Sequence, residues 1–501
     1  MKFFVSLLLA AAPLVVHAAP HAVSTFHSIG LYWSPEGGSE SNAARVQFRP
    51  AGSQDWRQGL DLWFDARNHE YRGSLVELEP GTAYEIRLAL KDGKTETLGA
   101  RTWSEKFRIK RTVEVQPGKR LVIGPEDSGS AEQGYVLFTA PAGRNVLDGN
   151  DTDESCVLIR QGAHHVIVRG LVLRDCKRYG VLIQRQGGEK TSDAGQTSDV
   201  VIEDNEISGW GGYQNVKPDS GLADNDGAIH CNYFRETDDA KRPDRIIVQG
   251  NRIHDPRNSS NPWQSRALGK KHPAGPLGVK FDRCGSNHVI RYNDITASNG
   301  TRFNDGIGGA DNFSTAGFPW ADSDIYGNRI VGAYDDGIEA EGGNRNVRIW
   351  NNHLTHVYVA IANASVATGP IYVWRNVAED MAGMYQPEGN PRNPRKDPRG
   401  PVIKAGSPNP EVNGGRAYYF HNTGTQAGAG IARSGGPTYN FVARNNLWPP
   451  SRVNPADGPF DLGSDRRVER IPNFNDRDPR PQAGAGASAP FGAAAYKAAG
   501  F

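Results

Sequence analysis

Apolar β-formers recur along this chain in a short phrase with drifting spacing: two or three β-forming residues, one variable residue, an asparagine, then an aliphatic. The phrase reads VIEDNEI at 201–207, IIVQGNRI at 246–253, HVIRYNDI at 288–295, SDIYGNRI at 323–330, VRIWNNHL at 347–354, IYVWRNV at 371–377 and FVARNNL at 441–447. Its asparagines stand at 205, 251, 293, 328, 352, 376 and 446, with two steps of 24 and longer steps that absorb insertions. A β-rich unit with a period in the twenties predicts a solenoid, because each repeat can bury its apolar face only against its neighbours. The asparagine is expected at a tight bend, where it tolerates the left-handed conformation and hydrogen-bonds its own copy in the next coil. That makes it architecture and not chemistry.

Stacking one rung per coil at ~4.8 Å, the spacing of neighbouring strands, gives a right-handed parallel β-helix. Residues 106–150 are expected to open it and the coils to run from about 151 to 450. Long polar insertions at 186–199, 209–224, 233–243 and 255–276 become loops on one face, often the binding face of a solenoid. They carry Trp210, Tyr213, Trp263, Lys270, Lys271 and His272. Aromatic and basic side chains together suit an acidic saccharide; a loop packing its own aromatics is the competing reading. Residues 451–501, rich in Pro, Asp, Ala and Gly, read as a cap and loose tail. Residues 20–105 differ from the rest and alternate as strands: IGLYWSP, ARVQFRP, DWRQGLDLWF, YRGSLVEL and AYEIRLAL.

A second phrase recurs between the bends: Tyr179-Gly180-Val181-Leu182-Ile183, Asp226-Gly227-Ala228-Ile229-His230, Leu277-Gly278-Val279-Lys280-Phe281, Asp305-Gly306-Ile307-Gly308-Gly309, Asp336-Gly337-Ile338-Glu339-Ala340-Glu341 and Val359-Ala360-Ile361-Ala362. Aligned on the small residue, strand alternation sends Val181/Ile183, Val279/Phe281 and Ile338/Ala340 inward. The outward rows then read Leu182, Ile229, Lys280, Gly308, Glu339, Ala362 and Gln184, Cys231, Asp282, Ala310, Glu341, Ala364. Charge gathers in the coils of Lys280 and Glu339/Glu341. Gly308 and Ala310 leave a bare floor between them, two rungs or ~10 Å across. Asp226, Asp305 and Asp336 precede the small residue, and Asn304, Asp311 and Asp335 lie close by. A single Asp-Gly reads first as a turn; the run of them beside Lys280, Glu339 and Glu341 reads as a site.

Two chemistries fit that row. In the first, Asp336, Glu339 and Glu341 hold a hard cation such as Ca²⁺ through oxygen. The cation neutralises a uronate carboxylate and acidifies its C5 proton, Lys280 removes that proton, and the 4-linked sugar leaves. Neighbouring cations or burial lower a lysine's pKa, whereas nearby carboxylates raise it unless a metal masks them. Arg283, Arg291 or Arg302 would bind the carboxylate or help protonate the leaving group; Trp263 and Lys271 are further candidate substrate contacts. In the second, two acids such as Asp305 with Asp336 or Glu339 act as an inverting glycosidase pair, and Lys280 only binds substrate. A third reading, from another class, is a non-catalytic glycan-binding or surface β-helix.

The formal charge of +1 over 501 residues argues against nucleic-acid binding by bulk electrostatics. Residues 1–19 read as a secretory signal, with Lys2, the apolar run FFVSLLLAAAPLVV and a small-x-small site at Val16-His17-Ala18. No later apolar run approaches the ~20 residues of a membrane span. A secreted or periplasmic monomer acting on a polysaccharide is expected. Export permits disulfides among Cys156, Cys176, Cys231 and Cys284, but their pairing is open, and unpaired thiols stacked in a core are an equal alternative.

Resemblances sharpen these readings. Leu78-Glu79-Pro80-Gly81-Thr82-Ala83-Tyr84 resembles the L-x-P-x-x-x-Y corner of fibronectin type III domains, which implies such a domain over 20–105 as a spacer or, less simply, a carbohydrate-binding module. VEVQPGKRLVIGPEDSG and GYVLFTAPAGRNVLDGND resemble the first coils of pectate-lyase-like β-helices. GVKFDRCGSNHVIRYNDITASNGTRFNDGIGG at 278–309 resembles a stretch of chondroitinase-B-like and alginate lyases: a strand lysine, an N-x-x-R-x-N-type coil, a Gly-Thr and an arginine. The resemblance implies a polysaccharide lyase with Lys280 as base and Arg302 near the catalytic arginine. That family's Arg-His-Gly is absent; Asn304-Asp305-Gly306 stands near its place.

Overall fold

The computed structural model describes residues 17–451, except 186–194, 213–224, 266–268, 270, 299, 386–397, 408, 410–411, 425–426, 434–435, 437–439 and 449–450. Residues 1–16 of the expected signal, Tyr213, Lys270 and nearly all of the tail therefore lie outside the described residues. Ala18 already belongs to a strand, Ala18–Ser24, paired antiparallel with Ile29–Ser34.

Residues 18–101 form two four-stranded antiparallel sheets. One joins Ala18–Ser24, Ile29–Ser34, Glu70–Leu75 and Trp63–Asp65; the other joins Arg57–Gln58, Ala44–Pro50, Ala83–Leu90 and Thr95–Arg101. Alternation drives the pairing of faces: in Ala83–Leu90 every second residue is buried. Leu31, Trp33, Val46, Tyr71, Ile86 and Leu88 from both sheets share one core. The Tyr84 hydroxyl accepts a hydrogen bond from the Glu79 N–H at 2.9 Å, the contact expected of a tyrosine corner.

Among the described residues the strands from Ile109 onward pair in parallel, and successive coils add to a sixteen-stranded and an eleven-stranded sheet around one long core. This is compatible with the parallel β-helix expected from the repeats. One inward column of the eleven-stranded sheet runs Val200, Ile246 and then, after a step along the strand to Val248, Ile290, Ile325, Ile349, Val373, Tyr419 and Ala443, each paired with the next coil. At one bend the asparagines form a continuous ladder. Asn205 Nδ2 donates to Asn251 Oδ1 at 3.0 Å, and the same bond repeats through Asn293, Asn328, Asn352, Asn376, Asn422 and Asn446. Asn422 is a rung the spacing had not revealed. The left-handed residue is not the asparagine but the one before it, as at Asp204, Tyr292 and Arg375 with φ of 56°, 56° and 53°. The asparagine is thereby free to spend its side chain entirely on the neighbouring coils.

Both cysteine pairs are bridged, Cys156–Cys176 and Cys231–Cys284. Among the described residues no helix is long and apolar enough to cross a membrane. The disulfides are compatible with an extracellular protein.

The N-terminal sheets sit on the outer face of the eleven-stranded sheet. Phe26 packs with Ile167, Val201, Ile247 and Tyr326. Tyr32 donates to Asp322 at 2.8 Å, and Arg72 Nε donates to the Gly369 carbonyl at 2.8 Å. Arg291 belongs here, and this corrects its expected place in a substrate site. It is 4 % exposed, held by Glu105 and Tyr326 at 2.7 and 2.8 Å, and its guanidinium lies over Phe26. Trp210 is likewise a core residue, fully buried and stacked on Phe303, not a loop aromatic open to a ligand.

Candidate functional site

The outer face of the sixteen-stranded sheet carries the charged row. Lys280 in Leu277–Asp282 pairs with Gly308 in Ile307–Gly309. The pairing of Ile307 with Ile338 sets Gly308 beside Glu339 of Arg329–Glu339. Glu339 pairs with Ala362, and Ala362 with Lys404 of Pro401–Ala405. The expected bare floor between the two charged coils is not there: Gly308 is buried, and a Cβ on it would stand 3.3 Å from Glu339 Oε2 and 3.5 Å from Leu277 Cδ2, so those two side chains lie over it.

One coil was misregistered in the sequence reading. Val181 pairs with Ile229 and Ile229 with Val279, so Ile229 and Cys231 point inward and His230 takes the outward place beside Lys280. Aligning on the glycine slipped this coil by one residue. Aligning on the apolar pair, Ile229/Cys231 with Val279/Phe281, would have found His230. A one-residue slip exchanges the two faces of a strand.

His230, Lys280 and Asp282 form a compact group. His230 Nε2 and Lys280 Nζ share Asp282 Oδ2 at 3.0 and 3.1 Å. His230 and Asp282 are 3 % and 5 % exposed, and the other atom of each, His230 Nδ1 and Asp282 Oδ1, is buried without a hydrogen-bond partner. Burial lowers the His230 pKa, outweighing the hydrogen bond to Asp282. Burial alone would raise Asp282, but its bonds from His230 and Lys280 outweigh that and hold the carboxyl below its ordinary value.

Farther along the row, Asp305, Asp335, Asp336, Glu339 and Glu341 converge on Lys404, and all five are buried. Lys404 Nζ lies 2.7 Å from Asp336 Oδ2 and 3.2 Å from Glu341 Oε1. Asp305 Oδ1 accepts from the Asp336 N–H at 3.0 Å, and Glu339 Oε1 from Asn312 Nδ2 at 2.7 Å. Asp335 accepts from the Trp263 indole at 3.3 Å and faces His272 Nε2 at 3.3 Å. Asp336 Oδ1 and Glu341 Oε2 have no hydrogen-bond partner among the described residues. Burial, then the Asp335 charge, push Asp305 up to about 8. Asp336 and Glu339 are raised well above their ordinary values, again by burial first and neighbouring carboxylates next. Burial would lower Lys404, but Asp336, Glu341, Asp335 and Glu339 outweigh it and hold the amine well above its usual value. One lysine cannot balance five ionised carboxylates, so the cluster must take up protons or a cation.

Sequence reasoning thus reached Asp305, Asp336, Glu339 and Glu341 but missed Lys404. Its strand, PVIKA, repeats the apolar–Lys–apolar order of GVKF, yet the long segment after Glu379 breaks the count of coils. The other expected residues divide. Trp263 touches the acid cluster and stacks near His272, with ring centroids 4.3 Å apart. Lys271 shares that loop through its carbonyl, which accepts from Gln264 N–H at 3.0 Å. Arg283 is ion-paired with Asp311 and covers the exposed Phe234 ring, one residue before Asn312 in the case of Asp311. Asp226 is held by Arg178 at 2.7 Å and stays apart from the cluster. Arg302 stacks over Tyr334 and faces a separate cavity of about 160 Å³ with His356, Asp380 and Arg399.

The two acid trios, Asp305/Asp335/Asp336 and Asp336/Glu339/Glu341, each bring one oxygen per residue within 4.8 Å of the others, a set that could hold a metal ion. Comparison with family models, with curated proteins and with solved structures finds no match.

Proposed function

We propose that this chain is an exported polysaccharide lyase that cleaves an acidic, uronate-containing glycan by β-elimination. In this reading the parallel coils form a right-handed β-helix, the hand almost universal for parallel strand crossovers, behind a fibronectin type III-like domain. The observation that carries the activity is the buried acid cluster with Lys404 at its centre, on the outer face of the long sheet. Burying like charges together costs stability, and such crowding is characteristic of functional sites.

The cluster fits a hard cation such as Ca²⁺: every donor is oxygen, and Asp336 Oδ1 and Glu341 Oε2 are buried without partners. Asp305, Asp335, Asp336, Glu339 and Glu341 would hold it. A cation held there would supply positive charge to offset the acids that keep Lys404 an ammonium and the uronate carboxylate of the substrate. Lys404 stands beside a carboxylate so held and is placed to take the C5 proton. The C4–O4 bond then breaks, a C4=C5 double bond forms, and the departing oxygen is protonated by water. The same crowding counts against Asp305 with Asp336 as an inverting pair, whose two carboxyls would stand roughly 6.5–9.5 Å apart to admit a water.

The test is an assay over uronate-containing glycans, with calcium and with chelator, following the ultraviolet absorbance of the unsaturated product. Absorbance should grow with calcium, vanish with chelator, and fall about 10²–10⁴-fold in Lys404→Ala. New reducing ends without absorbance would replace the lyase by the hydrolase. No cleavage of any acidic glycan would leave the non-catalytic reading.

A further inference from the structure

The lyase reading uses Lys404 and the acid cluster but leaves unexplained the other polar group on the same row. Lys280 lies two strand steps from Glu339, through Gly308, or about 10 Å along the solenoid axis. Gly308 adds no side chain of its own to this stretch, and the Glu339 and Leu277 side chains lie against it. Lys280 is 14 % exposed at its side chain, and its amine is aimed rather than loose: Asp282 Oδ2 fixes it at 3.1 Å, and His230 fixes Asp282. One carboxylate contact leaves an ammonium with further N–H donors. His230 Nδ1 and Asp282 Oδ1, both buried and unpartnered, mark a group built to meet something beyond the protein.

We infer that Lys280 is an anion subsite that binds the carboxylate of a second uronate, two sugars from the bond being cleaved, so that the glycan runs along the solenoid axis from the acid cluster past Glu339 to Lys280. This rests on the lyase reading and names its substrate more closely. In an extended, two-fold glycan every second sugar turns the same edge to the protein. A sugar advances by about one strand spacing, so the next carboxylate on that edge lies about two spacings, ~10 Å, from the first. The required substrate therefore carries an acid on at least every second residue, either a homopolymer of uronates or a strict alternation of uronate with another sugar. Lys280 is accordingly a specificity residue and does not take the C5 proton. The neighbouring Arg283 does not substitute for it, being committed to Asp311.

The test compares wild type, Lys280→Gln and Lys280→Arg on uronate oligosaccharides of increasing length. For chains long enough to span both points, Lys280→Gln should raise KM about tenfold to a hundredfold, the worth of one charge-assisted hydrogen bond. The advantage of long over short chains should collapse, and Lys280→Arg should restore most of it. Reducing the carboxyl of the second sugar to an alcohol should cost wild type the same factor and Lys280→Gln nothing more. A loss confined to kcat, with KM unchanged, would overturn the inference and make Lys280 the base. Equal length dependence in wild type and Lys280→Gln would also overturn it while leaving the lyase standing. If wild type cleaves nothing, the lyase reading itself fails, and binding of the same oligosaccharides to wild type and Lys280→Gln then decides the subsite alone.

Discussion

The two long sheets bury charge on their outer faces in opposite ways. On the eleven-stranded sheet, Arg348 and Asp324 are fully buried 2.8 Å apart, and the Arg348 guanidinium also donates to the Asn346 carbonyl at 2.7 Å. Asp324 further accepts from Thr25 and Ser28, in the turn between Ala18–Ser24 and Ile29–Ser34. Aromatics close the surface, with Tyr326 stacked on Trp350 at 4.1 Å and Trp350 on Trp374 at 5.5 Å. On the sixteen-stranded sheet, five buried carboxylates share one lysine, and two of their oxygens have no partner. Strand alternation creates both surfaces. Where burial serves cohesion, unlike charges meet, as Arg348 meets Asp324; where like charges are crowded, something else must have selected them.

The sharpest way to break this contrast is to remove Arg348. Arg348→Ala strands Asp324 in an apolar interface and should cost about 3–5 kcal/mol, the usual penalty for breaking a buried pair from one side. Denaturant unfolding at neutral pH measures it. A cost below about 1 kcal/mol would mean that water reaches Asp324 and that the N-terminal sheets are only loosely seated.

How much of this was readable beforehand depends on whether a feature is local. The coils were readable because inward apolar residues and the asparagines repeat within each rung. The Tyr84 corner was readable because its partner, Glu79, is five residues away. Asp305, Asp336, Glu339 and Glu341 were readable because two consecutive rungs carry them. Arg291 was not, since alternation tells outward from inward but not which outward face a separate domain will cover. Arg302 sits before its strand, where period-two logic no longer aims a side chain. Lys404 depended on counting coils across an insertion, and His230 on choosing the apolar pair over the glycine as the anchor. The disulfide partners could be paired only once the coils were stacked.

Two histidines extend the contrast. His288 is fully satisfied: Nδ1 accepts from the Ile246 N–H at 3.2 Å and Nε2 donates to the Cys284 carbonyl at 2.8 Å. His230 has one such bond and one bare nitrogen. Burial pushes the His288 pKa down to about 4. The unfolded chain, titrating near 6.5, binds more protons than the folded one between those values, so stability falls as pH drops from about 6.5 to 4 and levels off below. That window is worth about 3 kcal/mol. Urea midpoints at several pH values should show a shallower acid limb in His288→Gln than in wild type. An unchanged limb would assign acid sensitivity to other groups and weaken the view that His288 is a purely structural histidine.

The smallest effect has the opposite sign and bears most directly on the acid cluster. Asp305→Asn removes one of the crowded carboxyls without changing its shape. The carbonyl of the new amide can still accept from the Asp336 N–H; its NH₂ replaces the oxygen that now accepts from Asn304 Nδ2 at 2.6 Å, and a turn of the Asn304 amide lets it donate to Asn304 Oδ1, which now lacks a partner among the described residues. In chelator, where no cation offsets the repulsion, this substitution should raise stability by about 1 kcal/mol. With calcium present the gain should shrink or reverse, because a ligand has been lost and binding to the folded state no longer contributes as much. Thermal unfolding of both proteins in the two buffers measures the difference. If Asp305→Asn destabilises equally in chelator and in calcium, the carboxylates are held for cohesion like Asp324, and the distinction between the two faces falls.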